Sequence, residues 1–215
     1  METCRLCLSG NTFHFHTDHD TGLSRTFLSC ANCGLIFVQQ KFLPDKDTEK
    51  DRYLSHNNDI DDLDYQAFLS RLWNPMKNRL NKGSSGLDFG AGPGPALMHM
   101  MRKEGFKVEI YDPFFAPNTR ILVKSFEFIV CTETVEHFHN PSEEFYQLNR
   151  MLDNNGFLGI MTSLIDSVSN FGDWYYRRDP THVSFYSSKT MEWIAKKMNW
   201  KIDLIKDNVI IFYKA

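Results

Sequence analysis

The chain has 215 residues, 42% hydrophobic and 14% aromatic, enough for a packed core and too apolar for a disordered chain. A net charge of −3 excludes the strongly basic character of a protein that coats nucleic acid or anionic lipid, and no apolar stretch nears the roughly 20 residues of a membrane span. Met1-Glu2-Thr3-Cys4-Arg5 lacks the pattern of a secretory leader, so a cytoplasmic setting is expected, where five cysteines read as thiols or metal ligands rather than disulfides.

Residues 1–40 carry two C-x-x-C pairs, Cys4/Cys7 and Cys30/Cys33, with 22 residues between them. A C-x-x-C knuckle points two thiolates at one ion, and two knuckles complete a tetrahedral site that suits Zn²⁺. The stretch between them alternates like strands, with a turn at Asp20-Thr21-Gly22. The expected module is a small zinc ribbon whose four cysteines leave no coordination position open, so the metal is structural. His14, His16 and His19 are then hairpin residues rather than ligands.

Residues 41–62 are polar and acidic and read as a connector with one short helix around Glu49 to Leu54. From residue 63 onward the pattern is that of an α/β domain. Leu63 to Leu80 has helical apolar spacing, with Pro75 expected to kink it or start a second helix. Strands are expected at 85–89, 107–111, 126–131 and 157–162, alternating with helices at 96–104, 141–152 and 189–198. A terminal hairpin follows at 201–213. This alternation predicts a doubly wound, mostly parallel sheet.

Ser85-Gly86-Leu87-Asp88-Phe89-Gly90-Ala91-Gly92-Pro93-Gly94-Pro95-Ala96 reads as strand, tight glycine loop and helix start. Asp112 follows Gly92 by 20 residues at the end of the next strand, where a carboxylate accepts hydrogen bonds from ribose hydroxyls. A dinucleotide loop expects G-x-G-x-x-G. Here an acid, Asp88, precedes Gly90, Gly92 and Gly94, and Pro93 and Pro95 remove two N–H donors that a phosphate would use. A cofactor carrying a cation fits this loop better than a pyrophosphate, and S-adenosylmethionine is such a cofactor.

Leu87 through Gly94 resembles the first motif of class I S-adenosylmethionine-dependent methyltransferases. Tyr111-Asp112-Pro113 resembles their ribose-binding acid, and Cys131-Thr132-Glu133-Thr134-Val135-Glu136-His137-Phe138 resembles the segment after their fourth strand. His182-Val183-Ser184-Phe185-Tyr186-Ser187 looks like a late segment of one methyltransferase subgroup. The likeness covers roughly residues 50–215. It departs after Pro113, where about a dozen residues replace the usual helix and third strand, and Phe114-Phe115-Ala116-Pro117 stands in the adenine region.

The resemblance implies cofactor contacts from Asp88, Gly90, Gly92, Gly94, Asp112, Pro113, Thr132 and Glu133, with Tyr53 and His56 folding over from the connector. His137 and His182 are the candidate bases, because imidazole titrates near neutrality. Trp174, Tyr175, Tyr176, Arg177 and Arg178 are the expected lid over a small-molecule acceptor, and the arginines predict an anionic one. The reading is a methyltransferase with a structural zinc module, acting on a small molecule rather than on nucleic acid or a membrane. The competing reading is a zinc-ribbon module that binds protein or RNA, fused to a cofactor domain without catalysis. A nicotinamide dehydrogenase is disfavoured by the glycine register.

Overall fold

The computed structural model describes residues 2–19, 24–55 and 59–215. The turn expected at Asp20-Thr21-Gly22 and the expected cofactor contact His56 lie outside the described residues.

The N-terminal strands are β1 (Thr12–Thr17), β2 (Thr26–Cys30) and β3 (Ile36–Val38). Gly34 supplies the positive φ of 79° that turns the chain from Cys33 into β3. Helix α1 (Lys46–Leu54) starts where the Asp45 side chain accepts the Thr48 amide at 2.9 Å. It is polar all round, and within it only Glu49 is buried. Helix α2 (Leu63–Lys77) runs unbroken through Pro75, and no second helix starts there. Its Leu69, Leu72, Trp73 and Met76 are buried on both sides of the proline, so packing of one face holds the helix together.

Next come β4 (Ser85–Phe89), α3 (Ala96–Lys103), β5 (Lys107–Tyr111), β6 (Phe126–Thr132), α4 (Pro141–Met151) and β7 (Leu152–Met161). The chain ends with β8 (Ser184–Phe185), α5 (Ser188–Met198), β9 (Trp200–Lys206) and β10 (Val209–Lys214). Six strands form one sheet in the order β5-β4-β6-β7-β10-β9. The first four are parallel, and β10 and β9 close it as an antiparallel hairpin. This is the expected doubly wound, mostly parallel architecture. Helices α2 and α3 cover one face, while α4, α5 and the N-terminal module cover the other. After β5 the chain makes a bridge from Asp112 to Ala116 and a 3-10 turn at Thr119–Val123, so β5 remains an edge.

The N-terminal module does not end at residue 40. Its three strands are completed by β8, from the far end of the chain, in the order β1-β2-β3-β8. Leu28, Leu35, Phe37 and the cysteines share one core with Phe89, Phe138 and Tyr186 of the larger domain. A short β3 leaves an open edge, and pairing it with β8 satisfies that edge. A second tie is ionic. Asp18, Arg25 and Arg177 are all buried. Arg177 bonds Asp18, and Arg25 donates to the carbonyl oxygens of Arg177 and Asp179.

Removing Asp18 strands two buried guanidinium groups. Asp18→Ala is expected to lower stability by roughly 3–5 kcal/mol, read from urea unfolding. A loss below about 1 kcal/mol, the scale of an exposed pair, would contradict this account of the tie.

Candidate functional site

Where β4 has β5 on one side and β6 on the other, the strand order reverses, and a cleft opens at the carboxyl ends of the strands. It forms a cavity of about 1130 Å³, above the range that encloses one drug-sized ligand. Its floor is the loop Gly90-Ala91-Gly92-Pro93. Gly90 and Gly92 have φ of 80° and 66°. A Cβ at Gly90 would lie 2.2 Å from the Thr134 methyl, so no other residue fits there.

Asp112 ends β5 and is the tie-point of the floor. One carboxylate oxygen accepts the Phe114 and Phe115 amides at 2.8 and 3.0 Å, and the other accepts the Gly92 amide at 3.0 Å. Pro113, Phe114 and Phe115 continue the wall on this side. At the end of β6, Thr132 and Glu133 line the cavity. Glu133 has φ of 47°, a conformation that costs a non-glycine residue on the order of 1–3 kcal/mol and points to a functional position. Burial pushes its carboxyl up to about 7.

The opposite wall is built by the segment before β8. His137 and His182 lie with ring centroids 4.8 Å apart. Each Nδ1 meets a carbonyl oxygen, Thr181 O at 2.9 Å for His137 and Tyr176 O at 2.7 Å for His182. Each Nδ1 therefore carries the proton and donates, leaving Nε2 as a lone pair. Burial lowers His137 to about 3, helped by its neighbour His182, and lowers His182 to about 4. Both rings are neutral at physiological pH. Desolvation thus favours the neutral rings, which face the cavity as hydrogen-bond acceptors.

Helix α1 roofs the cavity. Arg52 donates to Asp179 Oδ2 at 2.8 Å, and Glu49 meets His139 Nε2 at 3.1 Å. Burial raises the Asp179 carboxyl, but the Arg52 bond and the Thr181 contacts outweigh it and hold it below the ordinary carboxylate range. Tyr53 stands edge-on to Phe114 and His137 at 5.5 and 5.1 Å and lines the cavity. Arg52, Glu49 and the α2 residues Tyr65 and Phe68 were not legible as wall residues. Nothing local to a polar helix says which far loop it will pair with.

Several expected contacts lie elsewhere. Asp88 and Gly94 do not reach the wall. Asp88 is buried beneath the loop, where the Met98 amide favours its charged form and burial pushes it up to about 7. Gly94 opens α3, its carbonyl accepting the Ala96 amide at 2.8 Å. Tyr175, Tyr176 and Arg178 do line the cavity. Trp174 and Arg177 turn to the other side. Trp174 packs with Phe171 and Phe185, and Arg177 is held by Asp18 and the Phe171 and Gly172 carbonyls. Of the two arginines behind the expected anionic acceptor, Arg178 alone faces the cavity. The wall carries Glu49, Asp112, Glu133, Glu144 and Asp179 against Lys46, Arg52 and Arg178.

On the far side of β3, the four expected cysteine ligands converge. Their Sγ atoms lie within 4.8 Å of one another, Cys4 to Cys33 at 3.6 Å and Cys7 to Cys30 at 3.4 Å. Four sulfurs at about 2.3 Å from one zinc would stand roughly 3.8 Å apart, so the donor set fits that ion. The hydrogen bond from Cys33 lowers Cys4 to about 5. Such a shared proton is what a metal displaces. Among the described residues no histidine joins the cluster; His14 bonds Thr17 and His16 meets Asp18.

The profile of the methyltransferase-domain family matches residues 56–205. No curated protein matches the chain. Among solved structures, a methyltransferase from Aquifex aeolicus is similar at 16% identity and a TM-score of 0.50, over 76% of this chain and 96% of its own. Haemonchus contortus phosphoethanolamine N-methyltransferase 2, with phosphomonomethylethanolamine and S-adenosylhomocysteine, is similar at 14% identity and a TM-score of 0.52, over 71% of this chain and 41% of its own. An O-methyltransferase family protein from Burkholderia thailandensis is similar at 11% identity and a TM-score of 0.50, over 70% and 57%.

Asp88 sets a pH dependence of stability. Its carboxyl moves from 3.8 to about 7 in the fold. The folded chain keeps a proton that the unfolded chain releases near pH 4, so stability falls as pH rises from about 4 to about 7. Asp88→Asn should flatten that fall by on the order of 2–4 kcal/mol between about pH 5 and about pH 8, measured by urea unfolding. Equal pH dependence in the two proteins would refute it.

Proposed function

We propose, from the premise that the chain belongs to the methyltransferase-domain family, that it transfers a methyl group from S-adenosylmethionine to a small-molecule acceptor. The observation that carries this reading is the cavity itself. Its floor is a glycine loop tied to Asp112, and its wall is acidic and aromatic. That wall suits a cationic cofactor and repels a pyrophosphate.

The residues present fit the cofactor. Gly90 and Gly92 let it approach the backbone, Asp112 keeps one lone-pair site on Oδ2 for a ribose hydroxyl, and Phe114 and Phe115 offer faces to an aromatic base. When bound, S-adenosylmethionine supplies an electrophilic methyl on sulfur. The chain's part is to hold the acceptor in line and to keep water out. Tyr53, Arg52 and Glu49 close the roof over that space. His137, His182 and Tyr176 give the acceptor its polar contacts. The tetrathiol cluster is a structural zinc site, and it steadies β3, on which β8 and the acceptor wall are hung. The alternative of a non-catalytic binding module has no observation in its favour here.

Calorimetry with S-adenosylmethionine, S-adenosylhomocysteine and NAD tests the cofactor. Heat is expected with the two sulfur compounds and not with NAD. Gly90→Ala, which forces a side chain into Thr134, should abolish it. Silence with both sulfur compounds would sink the proposal. For the cysteine cluster, metal analysis should find about one zinc per chain, lost together with cooperative melting when Cys4 and Cys33 are both changed to Ser. A folded, metal-free N-terminal module would show that the thiols need no ion.

A further inference from the structure

We propose that Glu136, His137 and His182 form a divalent-cation site in the acceptor wall, able to hold a first-row ion such as Mn²⁺ and, through it, an oxygen of the acceptor. The assignment of that oxygen rests on the methyltransferase reading; the cation site does not.

The three residues come together from two segments. A carboxylate oxygen of Glu136 and one ring nitrogen of each histidine lie within 4.8 Å of one another. Donors at about 2.1 Å from one ion stand roughly 3–4 Å apart, so small side-chain adjustments close the set. Two further observations point to a cation.

The first is the tautomer. Both histidines spend Nδ1–H on backbone carbonyls, Thr181 O and Tyr176 O. Their free nitrogens are therefore the unprotonated Nε2 atoms. Metal-bound imidazoles are oriented in this way, by a hydrogen bond from the other nitrogen. Here two adjacent rings share the device, and packing holds them 4.8 Å apart.

The second is Glu136. It has no exposed surface at all. Oε2 accepts from Thr162 Oγ1 at 2.9 Å, and that hydroxyl also meets Tyr176 Oη at 3.2 Å. Oε1 is buried and has no hydrogen-bond partner. A carboxylate oxygen left bare in the interior carries a desolvation cost that a bound cation would remove.

The site has a closed side and an open side. Glu136 is walled in by Thr162 and Tyr176, whereas both histidines face the cavity. An ion held there has its remaining positions toward the acceptor. Two imidazoles and one carboxylate suit Mn²⁺, Fe²⁺ or Zn²⁺ more than Mg²⁺ or Ca²⁺. The ion would carry the acceptor's oxygen in place of direct contact with the imidazoles. The cysteine cluster does not compete, since thiolates select zinc over Mn²⁺.

The test uses the full chain loaded with a single equivalent of zinc, which the thiolates take up ahead of the imidazole site. Mn²⁺ titrated into it should be bound at about one ion per chain, read from loss of the aqueous EPR signal. Pulsed EPR of the bound ion should show nitrogen couplings from two imidazoles. Glu136→Gln and His182→Gln should each weaken binding at least about tenfold, with cooperative melting and zinc content retained. No bound Mn²⁺, or bound Mn²⁺ without nitrogen coupling, would overturn the site, as would unchanged affinity in both folded variants. If the variants fail to fold, the couplings in the unaltered protein decide. S-Adenosylhomocysteine binding is measured on the same sample. Retained nucleoside binding without Mn²⁺ overturns the cation site alone, whereas Mn²⁺ held without nucleoside binding upholds the site and overturns the methyltransferase reading.

Discussion

One residue, Val183, joins the parts of this molecule. The Val183 carbonyl accepts the Val38 amide at 2.9 Å, and its own amide donates to the Glu136 carbonyl at 2.9 Å. Through these two bonds the N-terminal sheet, the histidine wall and the turn after β6 are held in one register. His182 precedes that residue, and Ser184–Phe185 after it completes the small sheet. The position of the histidine pair is therefore set by β3, and β3 is set by the knuckle around Cys30 and Cys33. A module that looks like an appendage in sequence is structurally the back of the site.

The electrostatics follow from the same arrangement. The cavity wall gathers carboxyl groups in partly dry surroundings, and burial raises Glu133 and Glu144 to about 7. Such groups stay protonated more readily in the free chain and ionise when a cation arrives. A positively charged cofactor meets a wall that gains charge to match it, whereas a phosphate meets repulsion. The neutral imidazoles opposite offer lone pairs without adding positive charge.

The parts that depend on local geometry could be read from the sequence. Gly90 and Gly92 stand where the backbone needs positive φ, Asp112 stands at the end of the next strand, and the cysteines repeat a knuckle spacing. The alternation of strands and helices likewise gave the large sheet and its hairpin. The parts that depend on distant partners could not. Arg177 lies in a run of aromatic and basic residues that reads as a lid, and its partner Asp18 is 159 positions away. Strand β8 has two residues, too few for any periodicity. Helix α1 has no apolar face to announce its place, because polar contacts from Glu49 and Arg52 hold it. Asp88 looks like a cofactor contact in the motif, yet its side chain turns under the loop toward Met98.

The central claim is that the cleft at the ends of β4, β5 and β6 holds the methyl donor, with the acceptor between it and the histidine wall. A crystal structure of the protein with S-adenosylhomocysteine tests it most directly. The account predicts a ribose hydroxyl on Asp112, the nucleoside over the Gly90–Gly92 loop and the sulfur directed toward His137 and His182. A nucleoside bound elsewhere, or one in the cleft with its sulfur turned away from that wall, would contradict it.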